Sequence, residues 1–206
     1  STKKLINNLR RLNPKIIFMS SVEVFDGTKK NFFENDKVNP LNYYGKTKLE
    51  VEKYIKINYK NYLICRTSWN SAYYLHNRCV IELTYKSILK SNALMAEDNI
   101  FSITYVKDLC KILFRNLRTK KKIIHISNNE KITRSDLANK IKSFSKLKKR
   151  MDFEIVPFSK INYTEPRALQ NLLQSRDKSI SKGFKFLKIQ KLIEKKVKLL
   201  DKLYSN

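Results

Sequence analysis

Glycine is scarce in this chain: Gly27, Gly45 and Gly183 are the three among 206 residues. No two stand close enough to form the glycine-rich turn that seats a pyrophosphate at a helix amino terminus, so the usual dinucleotide cradle is missing from the sequence. Cysteine is equally thin. Cys65, Cys79 and Cys110 are widely spaced, without a Cys-x-x-Cys, and two lie in apolar contexts. That excludes a disulfide framework and points to reduced core thiols in a cytoplasmic protein. With His76 and His125 the only histidines, no metal site is expected. No apolar run approaches the roughly 20 residues that span a bilayer, and no signal peptide is visible, so no membrane partner is expected.

Acidic residues are also few, 18 against 44 lysines and arginines, which leaves a net charge of +26. Such a balance is an expected footprint of nucleic-acid binding. Its distribution argues otherwise. Lysines are spread through every segment, and the dense runs Lys120–Lys122 and Lys146–Arg150 flank expected helix ends and loops. No helix-turn-helix, zinc finger or RNA-binding aromatic motif is present. Weak, nonspecific attraction to phosphates is expected, but no specific nucleic-acid partner.

A hydroxyl, a phenol and an ammonium stand at a spacing that suits carbonyl chemistry. Ser21 lies in SSVEVFDG (20–27), and Tyr44 and Lys48 lie in NYYGKTKLE (42–50). A phenol with a pKa of about 10 is a poor acid or base near neutrality, and a lysine one helical turn away can favour its ionised form. Tyr43 cannot take this part, because the residue four positions on is Thr47. Taken singly, Ser21 reads as a strand-end cap and Lys48 as a surface lysine. Their context favours the chemical reading: KIIFMS (15–20) reads as a buried strand, followed by a polar loop, a proline and a long helix from 42 to 60. Open α/β sheets place their chemistry at such carboxyl edges. Glu23, two residues after Ser21 on an extended segment, would point the same way.

Further along, 62–67 reads as a second apolar strand, 77–91 as a helix, 99–104 as a short strand and 106–118 as a helix. A strand follows at 123–127. The run TRSDLANKIKSFSKL starts a helix with Thr133 as a hydroxyl cap and Asp136 three residues on. Residues 187–203 form an amphipathic surface helix. No internal repeat and no Gly/Ser-rich linker marks a boundary.

These pieces resemble the extended short-chain dehydrogenase/reductases, and most closely the dTDP-4-dehydrorhamnose reductase family of sugar-nucleotide-binding proteins. The resemblance rests on SSVEVFDG, NPLNYYGKTKLEVE, YLICRTSW (62–69), ITYVKDLCKIL (103–113) and, more loosely, EPRALQNLL (165–173), in the family's order and over nearly the whole chain. It implies an α/β fold: the C-terminal part of a Rossmann-like doubly wound parallel sheet plus a small substrate-binding lobe. Residues 1–90 would be the partial NAD(P)-binding domain and 91–206 mainly the substrate side, with some interleaving. The first βα units would be missing, so the chain as it stands should bind NAD(P) poorly and should carry an unpaired strand edge at 15–20.

The resemblance also implies roles. Tyr44 would donate the proton to the developing alkoxide, Ser21 would bond the same oxygen, and Lys48 would lower the tyrosine's pKa while holding the nicotinamide ribose of NADPH or NADH. Ser20, Tyr44, Lys48, Arg66 and Thr67 would face the cofactor. Glu23, Trp69 and Arg167 would face a nucleotide-sugar substrate, although Arg167 follows Pro166 where the family usually has the reverse order. Val22 and Glu23 depart from the acidic pair of the 4,6-dehydratases and from the reductase's aspartate and tyrosine. A nucleotide-sugar 4-epimerase, or a non-catalytic sugar-nucleotide-binding or regulatory subunit, are the alternatives. The helix at 42–60 is the expected homodimer surface.

Overall fold

The computed structural model describes residues 2–9, 12–75 and 78–205; His76, considered above as a metal ligand, lies outside the described residues. A parallel sheet is built from β1 (Ile16–Ser21), β2 (Tyr62–Thr67) and β7 (Ile123–Ile126) in the order β1-β2-β7. Ser21 stands opposite Thr67, and Cys65 opposite Ile124, so the carboxyl ends of β1 and β2 are level. The β-branched and aromatic run IIFMSS suits a pleated, half-buried surface, and the polar residues fall at its end. Among the described residues β1 pairs on one side only, with β2. Helix α1 (Thr2–Leu9) and α2 (Tyr43–Asn58) cover one face of this sheet, where Ile6, Ile55 and Tyr59 are buried together. Helix α4 (Val106–Arg115) covers the other face against Leu63, Cys65 and Ile124. β7, from the later half of the chain, joins the sheet beside β2.

The second lobe holds β4 (Ala93–Ala96) paired with β9 (Phe153–Val156), both parallel. It packs with α3 (Val80–Leu89), α5 (Arg134–Phe144) and α6 (Ile189–Tyr204) around Tyr85, Ile88, Leu137, Ile141 and Ile193. Between the lobes run β3 (Trp69–Ser71) with β6 (Ile103–Tyr105), and β10 (Gln170–Asn171) with β5 (Ile100–Phe101) and β8 (Ile132–Thr133). The stretch read as one strand over 99–104 is therefore two short strands that belong to different sheets.

Helix α6 is more deeply packed than an amphipathic surface helix. Its Lys196 is fully buried and ion-paired with Glu82 of α3, and it also donates to the Tyr74 carbonyl at 2.5 Å. Its Asp201 accepts from Tyr85 Oη at 2.7 Å and Ser145 Oγ at 2.6 Å. Buried charges need such partners, because an unpaired one costs several kcal/mol. Among the described residues no helix is long and apolar enough to cross a membrane.

Candidate active site

Two local caps build the site. β1 ends at Ser21, whose Oγ accepts from the Glu23 backbone N at 3.2 Å and caps a single 3-10 turn, Val22–Val24. Glu23 is thus not on an extended segment, as its spacing from Ser21 suggested; the capped turn carries it into the same cleft instead. Asn42 caps α2: its Oδ1 accepts from the Gly45 N at 2.8 Å while its Nδ2 donates to Glu23 Oε2 at 2.8 Å. One side chain therefore sets the start of the helix and the position of the carboxylate.

Tyr44, Lys48 and Glu52 follow at one-turn intervals on the face of α2 that looks at β1. Tyr44 and Ser21 line the same cleft. Lys48 Nζ donates to the Met19 carbonyl at 2.9 Å and lies 5.5 Å from the Tyr44 ring centre. Glu52 is completely buried; it accepts from Ser20 Oγ at 2.6 Å, from Arg66 Nε at 2.9 Å and from Arg66 Nη2 at 2.7 Å. The forked guanidinium–carboxylate pair clamps α2 to β1 and β2.

The Tyr44 phenol is held above its ordinary value, first by burial and also by the Glu23 carboxylate, against a lowering by the Ser21 hydrogen bond. Burial likewise lowers the Lys48 ammonium. The Lys48 ammonium is turned onto the Met19 carbonyl.

A cleft of about 230 Å³ opens over these residues and is walled by Ser21, Glu23, Tyr44, Trp69 and Arg167, with Ser68, Asn70 and Arg78. A second cavity of about 130 Å³ has Glu23, Trp69 and Arg167 in its wall as well and adds Arg134, Phe158 and Tyr163. The structure thus brings Ser21, Glu23, Tyr44, Trp69 and Arg167 together, with Lys48 one turn behind. Ser20, Arg66 and Thr67 lie beneath this floor. Arg66 is buried against Glu52, and Thr67 Oγ1 donates to Asn70 Oδ1 at 3.0 Å. None of the three lines the cleft. Among the described residues no cluster of His, Cys, Asp and Glu could hold a metal ion. Cys65 and Cys79 are buried thiols and Cys110 is exposed; burial pushes Cys65 up to about 12.

Sequence reasoning missed Asn42, Arg78 and Arg134. Asn42 had a readable signal, a capping residue immediately before a helix. The two arginines had none, standing among 44 basic residues.

A level pair of strand ends carrying Ser21, with the phenol and ammonium on the next helix, belongs to a Rossmann-like α/β fold. The comparisons agree on the fold. A dTDP-4-dehydrorhamnose reductase from Clostridium acetobutylicum superposes with a TM-score of 0.80 at 21% identity, covering 96% of this chain and 70% of that one. One from Bacillus anthracis, solved in complex with NADP, gives 0.76 at 21%, covering 93% and 68%. The chain belongs to the RmlD substrate binding domain family, which it matches over residues 1–198. Curated relatives include methionine adenosyltransferase 2 subunit beta of Xenopus tropicalis, 30% identical over 132 residues, or 59% of this chain and 39% of that protein. The dTDP-4-dehydrorhamnose reductase of Aggregatibacter actinomycetemcomitans is 32% identical over 108 residues, 51% and 36% respectively. The matched stretch spans about two-fifths of the length of these relatives.

Proposed function

We propose that this chain carries the proton-donating and substrate-side parts of an NAD(P)H-dependent reductase acting on the 4-keto group of a nucleotide-linked deoxysugar. The observation that carries the reading is that Ser21 and Tyr44 line one cleft together with Trp69 and Arg167. A carbonyl oxygen seated there accepts a hydrogen bond from Ser21 and, as negative charge develops on it, the proton of the Tyr44 phenol. A raised phenol pKa keeps that proton in place at neutral pH. Lys48, one turn away, holds positive charge behind the ring. Asn42 keeps Glu23 oriented toward the sugar.

The fit to a nicotinamide cofactor is partial. Tyr44 and Lys48 stand on α2 beside β1, where a nicotinamide ribose would be held, and the bound cofactor supplies the hydride. The pyrophosphate end finds no cradle among the described glycines: Gly27 is packed on Ala168, Gly45 on the Glu23 carbonyl, and Gly183 lies in open space. Homodimer formation through α2, whose Tyr43 and Ile57 are exposed, belongs to the same reading.

A second reading, a non-catalytic regulatory subunit, is favoured by the relative named as an adenosyltransferase subunit and by the Lys48 ammonium turned to Met19. Tyr44→Phe in the complete protein separates the two. The reductase reading expects turnover to fall by about 10²–10⁴-fold with little change in sugar-nucleotide affinity. Unchanged turnover removes Tyr44 from the chemistry, and no turnover in the unaltered protein, with affinity intact, selects the binding subunit.

A further inference from the structure

Asn42 is buried and lines neither cavity, yet every polar atom of its side chain is engaged. Its Oδ1 accepts from the Gly45 N at 2.8 Å and so caps α2. Its Nδ2 donates to Glu23 Oε2 at 2.8 Å and to the Pro166 carbonyl at 3.3 Å. A carboxamide offers an acceptor and two N–H donors, and here they serve three separate segments of the chain. The partners also fix which way the amide points, because a reversed amide would set its oxygen against a carboxylate and a carbonyl. Capping alone does not call for asparagine. Serine, threonine or aspartate satisfies the same backbone N–H, and only the amide adds neutral donors on the side away from the helix.

Pro166 lies near the end of a strap, residues 157–169, that joins β9 to β10. The strap is tied at its start by the Phe158 N, which donates to Asp98 Oδ1 at 2.7 Å. At its end Asn99 Nδ2 donates to the Ala168 and Leu169 carbonyls at 3.1 and 2.8 Å. Residues 162–167, between these ties, are exposed. Tyr163 rests on Phe158 with ring centres 5.2 Å apart, and among the described residues the bond from Asn42 is the hydrogen bond that holds this stretch to another element. The strap nevertheless forms cleft wall: Arg167 borders the cavity beside Tyr44, and Phe158, Tyr163 and Arg167 border the second. Asn42 therefore links three walls, the strap with Arg167, the turn with Glu23, and the helix on which Tyr44 stands two residues further on.

We propose that Asn42 is a positioning residue that couples the strap to Glu23 and to the first turn of α2, so that seating a substrate against the strap and aligning the Tyr44 phenol are one event. The coupling to Tyr44 rests on reading that phenol as the proton donor. The tether itself does not.

Hydrogen exchange read by mass spectrometry on the 206-residue protein tests the tether without turnover. Asn42→Ser keeps a capping oxygen and removes both amide donors. The strap of this variant is expected to exchange about five- to tenfold faster, while the first turn of α2 keeps its protection and the melting temperature stays that of the unaltered protein. Asn42→Ala, which loses the cap as well, should loosen both segments. Asn42→Asp keeps the cap and the size but sets a carboxylate against Glu23 and the Pro166 carbonyl; it should loosen the strap at least as much as Asn42→Ser, and it carries the same test if the serine variant does not fold. In the complete protein Asn42→Ser should raise KM for the nucleotide sugar and lower kcat together, each about tenfold. Unaltered strap exchange in Asn42→Ser and Asn42→Asp, with α2 loosened only in Asn42→Ala, makes Asn42 a helix cap and overturns the proposal. So does a loosened strap with KM and kcat both unchanged. The two ideas fail separately: a strap loosened by Asn42→Ser in a complete protein that has no reductase turnover sinks the reductase reading and leaves the tether, whereas normal turnover with strap exchange unchanged does the reverse.

Discussion

Arg66 and His125 show how a residue's job depends on neighbours that are remote in sequence. The Arg66 guanidinium is committed to Glu52, and its Nη1 also reaches the Glu34 carbonyl at 3.2 Å and lies 3.5 Å from His125 Nε2. His125 Nδ1 is 3.0 Å from the Gln174 carbonyl, and burial, reinforced by the Arg66 charge, lowers its pKa to about 4 against the pull of Glu34. Its unfolded value is about 6.5, so the unfolded chain takes up a proton that the native one refuses. The stability that His125 contributes is complete above about pH 6.5 and is lost as pH falls toward 4. The loss is about 3 kcal/mol. The lowered Glu34 carboxylate adds in the same direction at still lower pH. Urea unfolding between pH 7 and 4.5 should show this slope, and His125→Gln should flatten it; equal slopes would remove His125 as the cause. At this scale Ser21, Tyr44 and Lys48 were legible because a strand end and a helical turn place them. Arg66 was legible as a residue but not in its partner: a strand arginine reads equally as a cofactor contact or a buried ion pair.

Helix α2 sets the geometry of the site, and its register depends on Gly45. A Cβ at that position would lie 2.0 Å from the Glu23 carbonyl oxygen and 2.9 Å from Pro40 Cβ, so the helix can approach the Val22–Val24 turn only with glycine there. Gly45→Ala is expected to destabilise the protein by about 3 kcal/mol or more, although alanine is the better helix former in isolation. Chemical denaturation measures it; a loss below about 0.5 kcal/mol would mean that α2 does not pack as described. Long helices with caps were legible, as Thr133 accepting from the Asp136 N at 3.0 Å shows. The short strands β3, β4, β8, β9 and β10 were not. Two to four residues are too few to show a period, and their pairing partners, such as Ala93 opposite Phe153, come from distant segments.

The whole molecule carries its +26 charge without one continuous basic face read from the sequence, and most of that charge repels itself. Raising the ionic strength from about 0.01 to 0.15 M shortens the screening length from about 30 to 8 Å. The melting temperature should therefore rise with sodium chloride over that range, and a fall would show that surface ion pairs outweigh the repulsion. The buried Glu82–Lys196 and Glu52–Arg66 pairs should be little affected, because water and salt do not reach them. The sequence by itself determined the α/β class, the long helices, the absence of a glycine-rich cradle and the Ser21, Tyr44, Lys48 spacing, since these depend on contacts within a strand or a helical turn. Tertiary structure alone decided that β7 joins the first sheet, that Arg66 serves Glu52 and that Asn42 reaches Pro166. Those outcomes depend on burial and on partners brought together by packing, and no local pattern encodes them.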